Sequence, residues 1–341
     1  MTKVIHYIWW LGILCWSLSA CSDDKLLEEK GLVEVKLSLN TDMSTRASSD
    51  IGVATHSVDR ILILPFQKVN LSLPDTQNDN FIPVWPLARQ YNIPVFPSTN
   101  LSFTLENSKT YKILVIGYNH ADYDHNNPSG SGNRVILSSQ PLPTTLANFQ
   151  LYPKLPNQVP EFFICYGTAS KGSTTLGTVF VPDDGVTLSG TLGRIVSGLG
   201  VKITNIPSYV NSVTLLADNM VKAIRVADTT ITVIQTTGDN ESRVIRQQNV
   251  VNGTVNFGVF LLPSGKTSKL TFYLDIGLGS LTQRYTMYIE DSNVTQGGKL
   301  MLLPNDAVIV SAGYDKINYG FVITRDINLE DDVWDGINPT P

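Results

Sequence analysis

Apolar and polar residues alternate strictly from Val33 to Leu39. Val33, Val35, Leu37 and Leu39 fall on one side of an extended chain, and Glu34, Lys36 and Ser38 fall on the other. Successive side chains of a strand point to opposite faces, so the run reads as a half-buried β-strand. The same period returns at residues 201–207, 212–217 and 230–234, and the run Ile61-Leu62-Ile63-Leu64 reads as a buried strand. No apolar pattern of period 3.6 is long enough for a core helix. Short strands at regular spacing predict an all-β fold of β-sandwiches with few, short helices. Composition agrees: only 16% of residues are charged, while 25 glycines and 18 prolines supply turns.

The 341 residues suffice for two domains of ordinary size. The turn Pro182-Asp183-Asp184-Gly185 marks the expected boundary, giving sandwiches over residues 33–185 and 186–341. Residues 101–105 and 111–119 read as a hairpin through Asn107-Ser108, and residues 162–170 and 178–181 as further strands.

Residues 1–20 form a secretory leader: Lys3 supplies the positive region, and a short apolar run ends in the small residues Ser19 and Ala20. Leu18-Ser19-Ala20-Cys21 resembles the lipobox of bacterial lipoproteins, which implies cleavage between Ala20 and Cys21 and acylation of the Cys21 thiol. Several acyl chains bury many methylenes at about 0.8 kcal/mol each, an effectively permanent anchor. Residues 21–32 would then be a lipidated tether. Its acidic Asp23-Asp24 resembles the surface-export signal of Bacteroidetes lipoproteins, and reads equally as a solvated spacer.

A formal net charge of −5 without a basic stripe makes nucleic acid an unexpected partner. Of three cysteines, Cys15 leaves with the leader and Cys21 is the acylation point. Cys165 then has no partner for an internal disulfide and reads as a buried, inert thiol.

His120, Asp122, Asp124 and His125 crowd one polar loop, but the calcium-loop positions that need Gly and Glu hold Asn127 and Asn133, so no metal is expected. Phe81, Trp85, Tyr91 and Phe96 lie among prolines and could form a sugar-stacking platform or pack a loop onto a sheet. Asp183-Asp184 and Glu330-Asp331-Asp332 suit turns and solvated edges. No nucleophile elbow, zinc-protease helix or phosphate loop occurs, so neither enzymatic activity nor a cofactor is expected.

Motif order carries a further resemblance. The lipobox precedes Val-Glu-Val-Lys-Leu-Ser-Leu and then Thr45-Arg46-Ala47. Ile113-Leu114-Val115-Ile116-Gly117-Tyr118-Asn119 follows, then Gly193-Arg194-Ile195-Val196 and Val201-Lys202-Ile203-Thr204. The chain closes with Tyr319-Gly320-Phe321-Val322-Ile323-Thr324 and an acidic turn into Trp334. This order resembles the fimbrillin family of Bacteroidales across nearly the whole chain.

The resemblance implies two transthyretin-like β-sandwich domains in tandem and a lipoprotein of the outer membrane and cell surface, built into a fimbrium that supports adhesion. Its partners would be other fimbrial subunits joined by β-strand addition, membrane lipid through Cys21, and surface ligands of host or bacteria. Arg46 would be the processing residue and Ala47 the new N-terminus, although an arginine in a polar loop is also an ordinary surface residue. Val33, Val35, Leu37 and Leu39 would form a removable cover over a groove in the first domain, and its removal would leave an apolar trench and an edge that recruits a neighbour's strand. Two prolines follow Trp334 and suit a donor strand poorly, which counts against a stalk role and leaves tip, accessory and anchor roles open. The alternative reading is a surface glycan-binding lipoprotein resting on the aromatic insertion.

Overall fold

The computed structural model describes residues 31–41, 58–94, 100–137, 144–157, 159–227, 231–236, 243–264, 270–287, 295–296, 299–300, 302–316 and 322–325. Among these, the helical elements are short 3-10 turns at Asn78–Asn80, Trp85–Leu87, Leu146–Asn148 and Tyr314–Lys316. The rest is strand and connection, as the period-2 patterning requires.

The strands that build the first sheets are β1 (Leu32–Thr41), β2 (Arg60–Lys68), β3 (Phe81–Pro83), β4 (Arg89–Asn92), β5 (Leu101–Glu106), β6 (Tyr111–Tyr118), β7 (Val135–Leu137), β8 (Gln150–Pro153), β9 (Phe163–Tyr166), β10 (Thr168–Lys171), β11 (Thr174–Gly177) and β12 (Val186–Arg194). One layer runs β5-β1-β12-β10-β11, and the facing layer runs β9-β6-β2, with β3 and β4 paired to β2. Their shared core takes Val35, Leu37 and Leu39 from β1, Phe103 and Leu105 from β5, and Leu188 and Leu192 from β12. Across it stand Ile61, Ile63, Ile113, Val115 and Phe163.

Three expectations are revised here. The segments β5 and β6 do not form a hairpin: β5 pairs with β1, while β6 pairs with β2 and β9. The turn between them crosses from one layer to the other, because Leu105 and Tyr111 must both enter the same core. Residues 162–170 are not one strand but two: β9 lies in one layer and β10 in the other, and the chain changes layers at Gly167. A β-carbon there would stand 3.3 Å from Leu188 Cδ1, so the crossing is tight. Residues 178–181 hold only an isolated bridge, Phe180 to Tyr111.

The turn at residues 182–185 feeds β12 back beside β10 and β1, so strand pairing with the first layers continues to Arg194. β12 pairs with β10 from Val186 to Ser189, with β1 from Thr187 to Leu192, and through Gly193 and Arg194 with β9. Strands that switch layers in this way make the corners of a sandwich.

The later strands are β13 (Ser197–Thr204), β14 (Ser212–Asp218), β15 (Val221–Val226), β16 (Ile231–Thr236), β17 (Arg243–Asn249), β18 (Val255–Leu261), β19 (Thr271–Leu278), β20 (Leu281–Thr286), β21 (Thr295–Gln296), β22 (Lys299–Leu300), β23 (Ala307–Gly313) and β24 (Val322–Arg325). Sheet β18-β13-β23-β24 and sheet β17-β14-β19-β20 share a second core around Leu199, Val201, Val213, Leu215, Phe257 and Leu274. A third sheet, β16-β15-β8-β7, supplies Ile224, Leu151 and Val135 to a further core that covers the outer side of β2, β6 and β9. Those strands are therefore buried on both faces, which accounts for the apolar run from Ile113 to Ile116 in β6.

Candidate functional site

β1 fills a slot between two strands. On one side it runs antiparallel to β5, from Leu32 opposite Glu106 to Leu37 opposite Leu101. On the other it runs parallel to β12, from Lys36 beside Thr187 to Thr41 beside Leu192. The expectation was a cover over a groove; β1 lies in the interior of its sheet, with hydrogen-bonded partners on both sides. Its alternation fits the slot: Val35, Leu37 and Leu39 are 0%, 1% and 0% exposed, while Glu34, Lys36, Ser38 and Asn40 face solvent. Val33, near the strand's start, is half-buried.

The two walls of the slot depend on β1 unequally. β12 also pairs with β10 and keeps that ladder whatever β1 does. Among the described residues β5 pairs with β1 alone. Withdrawing β1 would leave β5 without a strand partner and would open an apolar trench between two rows of unpaired backbone groups. Outside the trench, Lys36, Ser38, Ser102, Thr187 and Ser189 contribute to the lining of a shallow depression across the three strands.

Sequence alone did not mark the second wall. The signal was present, since Val186, Leu188 and Leu192 are buried and alternate with exposed or half-buried residues. The turn before it makes it read as the opening of the second half. Nothing in the local sequence singles out Gly190. It pairs with Leu39, and a β-carbon added to it would stand 2.7 Å from Cys165 Sγ and 3.6 Å from Leu39 Cδ2. Burial pushes the Cys165 thiol well above its ordinary range, so it is a packing group and not a nucleophile.

Ala20, Cys21, Arg46 and Ala47 lie outside the described residues, in the segments before and after β1. The other sequence candidates are occupied within the fold. Asp122 is buried and holds Arg134 Nη1 at 2.8 Å. Asp124 accepts from Gln90 Nε2 at 3.0 Å and caps the Asn126 amide, while His120 turns away to Asp59. His125 stacks on Trp85 with 5.8 Å between ring centres, and burial lowers its pKa. The loop's polar side chains thus stitch it together. Among the described residues no group of three or more His, Cys, Asp or Glu is placed to hold a metal ion.

The aromatic insertion is likewise folded inward. Phe81 is fully buried, Trp85 also lies against Phe149 at 6.3 Å, and the Tyr91 hydroxyl donates to the Ser102 carbonyl beside the slot. Phe96 lies outside the described residues.

No protein-family model matches the chain, and no curated protein matches it by sequence. Solved structures similar to it include the fimbrial anchor protein Mfa2 from Porphyromonas gingivalis, at 12% identity and a TM-score of 0.49 over 86% of this chain and 96% of that one. The tip fimbrial protein Mfa3 from the same organism, with a C-terminal truncation, is 15% identical at a TM-score of 0.39 over 86% of this chain and 100% of that one. A candidate polysaccharide-binding protein from Bacteroides thetaiotaomicron is 11% identical at a TM-score of 0.47, over 86% of this chain and 98% of that one.

Proposed function

We propose that this chain is a structural subunit or anchor of a cell-surface fimbria, exported to the outer membrane as a lipoprotein through Cys21 and joined to its neighbours by β-strand addition. The observation that carries the reading is the placement of β1. The strand nearest the lipidation cysteine is inserted between β5 and β12, with the lipobox before it and Arg46-Ala47 after it. Cutting after Arg46 would free the one strand whose departure opens the trench.

Magnitudes support exchange over simple loss. The buried Val35, Leu37 and Leu39 side chains contribute roughly 1.5–3 kcal/mol each, as an upper estimate. Both backbone ladders are lost as well. A donor strand with the same alternation restores the burial and both ladders together, so replacement is far less costly than vacancy. Head-to-tail repetition of such a contact builds an open filament. In a stalk subunit the slot would be refilled by a neighbour; in an anchor β1 and its lipid would stay.

The first residue of the protein as it stands on the cell surface tests the reading. Mass spectrometry should find either an acylated Cys21 or, where an arginine-specific protease has acted, Ala47. In the second case native gels should show laddering. An unmodified Cys21 together with an intact Arg46 would overturn it. The glycan-binding alternative has less support, because Phe81 is buried and the half-buried Trp85 and Tyr91 are already engaged by His125 and the Ser102 carbonyl.

A further inference from the structure

The loop that follows β2 presents aliphatic side chains to solvent while hydrogen bonds hold its shape. Val69, Leu71 and Leu73 are 61%, 69% and 39% exposed. The Asn70 amide donates to Asn80 Oδ1 at 2.8 Å, and Asn80 Nδ2 donates back to the Asn70 carbonyl at 2.7 Å. Asn70 Oδ1 accepts from the Ser72 amide at 3.0 Å. Lys68 Nζ is held by Asp75 at 2.6 Å. A flexible loop could fold its aliphatic side chains away; this one is pinned so that three of them, spaced two residues apart, stay in solvent. The other large apolar side chains exposed among the described residues occur singly along the sequence, as is ordinary on a protein surface.

Its location narrows the partner. The turn between β5 and β6 touches both the start of β1 and the end of β2: the Asn107 amide donates to the Gly31 carbonyl at 2.7 Å, and the Lys68 amide donates to the Thr110 carbonyl at 2.8 Å. The aliphatic loop therefore leaves from the same end of the sandwich at which the chain arrives from Cys21. Facing sheets lie about 10 Å apart, so the two points are near neighbours. Val181, 48% exposed, follows the Phe180 bridge to Tyr111 at this end. The ten residue steps from Cys21 to Gly31 can span at most about 35 Å. An acylated Cys21 would keep this end of the sandwich within that reach of the bilayer.

We propose that the loop at residues 69–75 is a second membrane contact, in which Val69, Leu71 and Leu73 enter the lipid interface beside the acyl anchor and fix the orientation of the domain. Apolar side chains on a rigid tip suit the headgroup–acyl boundary. The inference rests on the lipoprotein reading in the form that keeps β1 and its lipid.

The test makes its own tether. The chain beginning at Cys21 is coupled through that thiol to a maleimide lipid in vesicles of phosphatidylethanolamine and phosphatidylglycerol; buried Cys165 stays unreacted. Hydrogen exchange at residues 69–75 is then compared with that of the same chain capped at Cys21 and free in solution. Exchange should slow on the vesicle by about tenfold, and this slowing should vanish in the Leu71→Ser/Leu73→Ser variant, whose exposed substitutions leave the core intact. Equal exchange with and without the vesicle, or equal slowing in the variant, would overturn the proposal. Protection that appears in the free chain as its concentration rises would also overturn it, identifying a second copy as the occupant. Failure of the lipoprotein reading would show separately, as an unacylated Cys21 in the protein made by cells.

Discussion

Gly190 of β12 lies against Cys165 of β9 so closely that a β-carbon on the glycine would stand 2.7 Å from the sulfur. The contact sits where the two layers converge, under Leu39 of β1. Replacing Gly190 with Ala should cost about 1–3 kcal/mol, through overpacking. Cys165→Ala in the same chain should recover part of that loss by vacating the space. Urea unfolding of the two single variants and the double variant gives the coupling directly, and strict additivity would mean that the contact is not what constrains the glycine.

The two faces of β1 should respond oppositely to truncation. Leu37 is 1% exposed, and Leu37→Ala should cost about 2–5 kcal/mol. Lys36, its neighbour on the solvent face, should change stability by no more than about 0.5 kcal/mol when replaced by Ala. Hydrogen exchange adds a finer check. Because β5 has no other strand partner among the described residues, its amides should be the first to lose protection in Leu37→Ala, ahead of those of β12.

The end of β12 carries a buried ion pair. Arg194 Nε lies 2.8 Å and Nη2 2.7 Å from Glu161 Oε1, and the guanidinium sits 5.3 Å from the Phe163 ring centre and 5.8 Å from that of Phe260. β9 and β18, strands of two different sheets, are thereby tied to one side chain. Glu161→Ala leaves a cation uncompensated in the interior and should cost about 3–5 kcal/mol. Converting both partners to apolar residues, Glu161→Leu with Arg194→Met, should recover most of it. A double variant as unstable as Glu161→Ala would show that the pair holds the corner by more than charge compensation.

His125 gives the stability an acid limb. Burial lowers its pKa in the folded chain, with partial opposition from Asp124. Above about pH 6.5 the ring is neutral in both folded and unfolded chains and adds no pH dependence. As pH falls below that value, the unfolded chain takes up a proton that the folded chain resists, so stability declines until the lowered folded pKa is reached. His125→Phe keeps a ring against Trp85 and should flatten this part of the profile. Denaturant midpoints measured between pH 7.5 and pH 5 on both chains decide the matter, and parallel profiles would remove His125 from the account.

Sequence by itself determined what repeats over two residues. The all-β class and the inward faces of β1 and β12 are written in local alternation, since a strand's pleat assigns each side chain to a face without reference to the rest of the chain. The slot is not local. Leu37 does not specify that Leu101 and Leu188 will flank it; that choice follows from which ladders can close while Val35, Leu37 and Leu39 share a core with Ile61, Ile113 and Phe163. The crossing at Gly167, the passage between β5 and β6 and the continuation of β12 past residues 182–185 were hidden for the same reason: a turn residue records that the chain bends, not which layer it enters. Only the tertiary structure set the apolar loop after β2 beside the start of β1, because that proximity depends on hydrogen bonds between residues far apart in the chain.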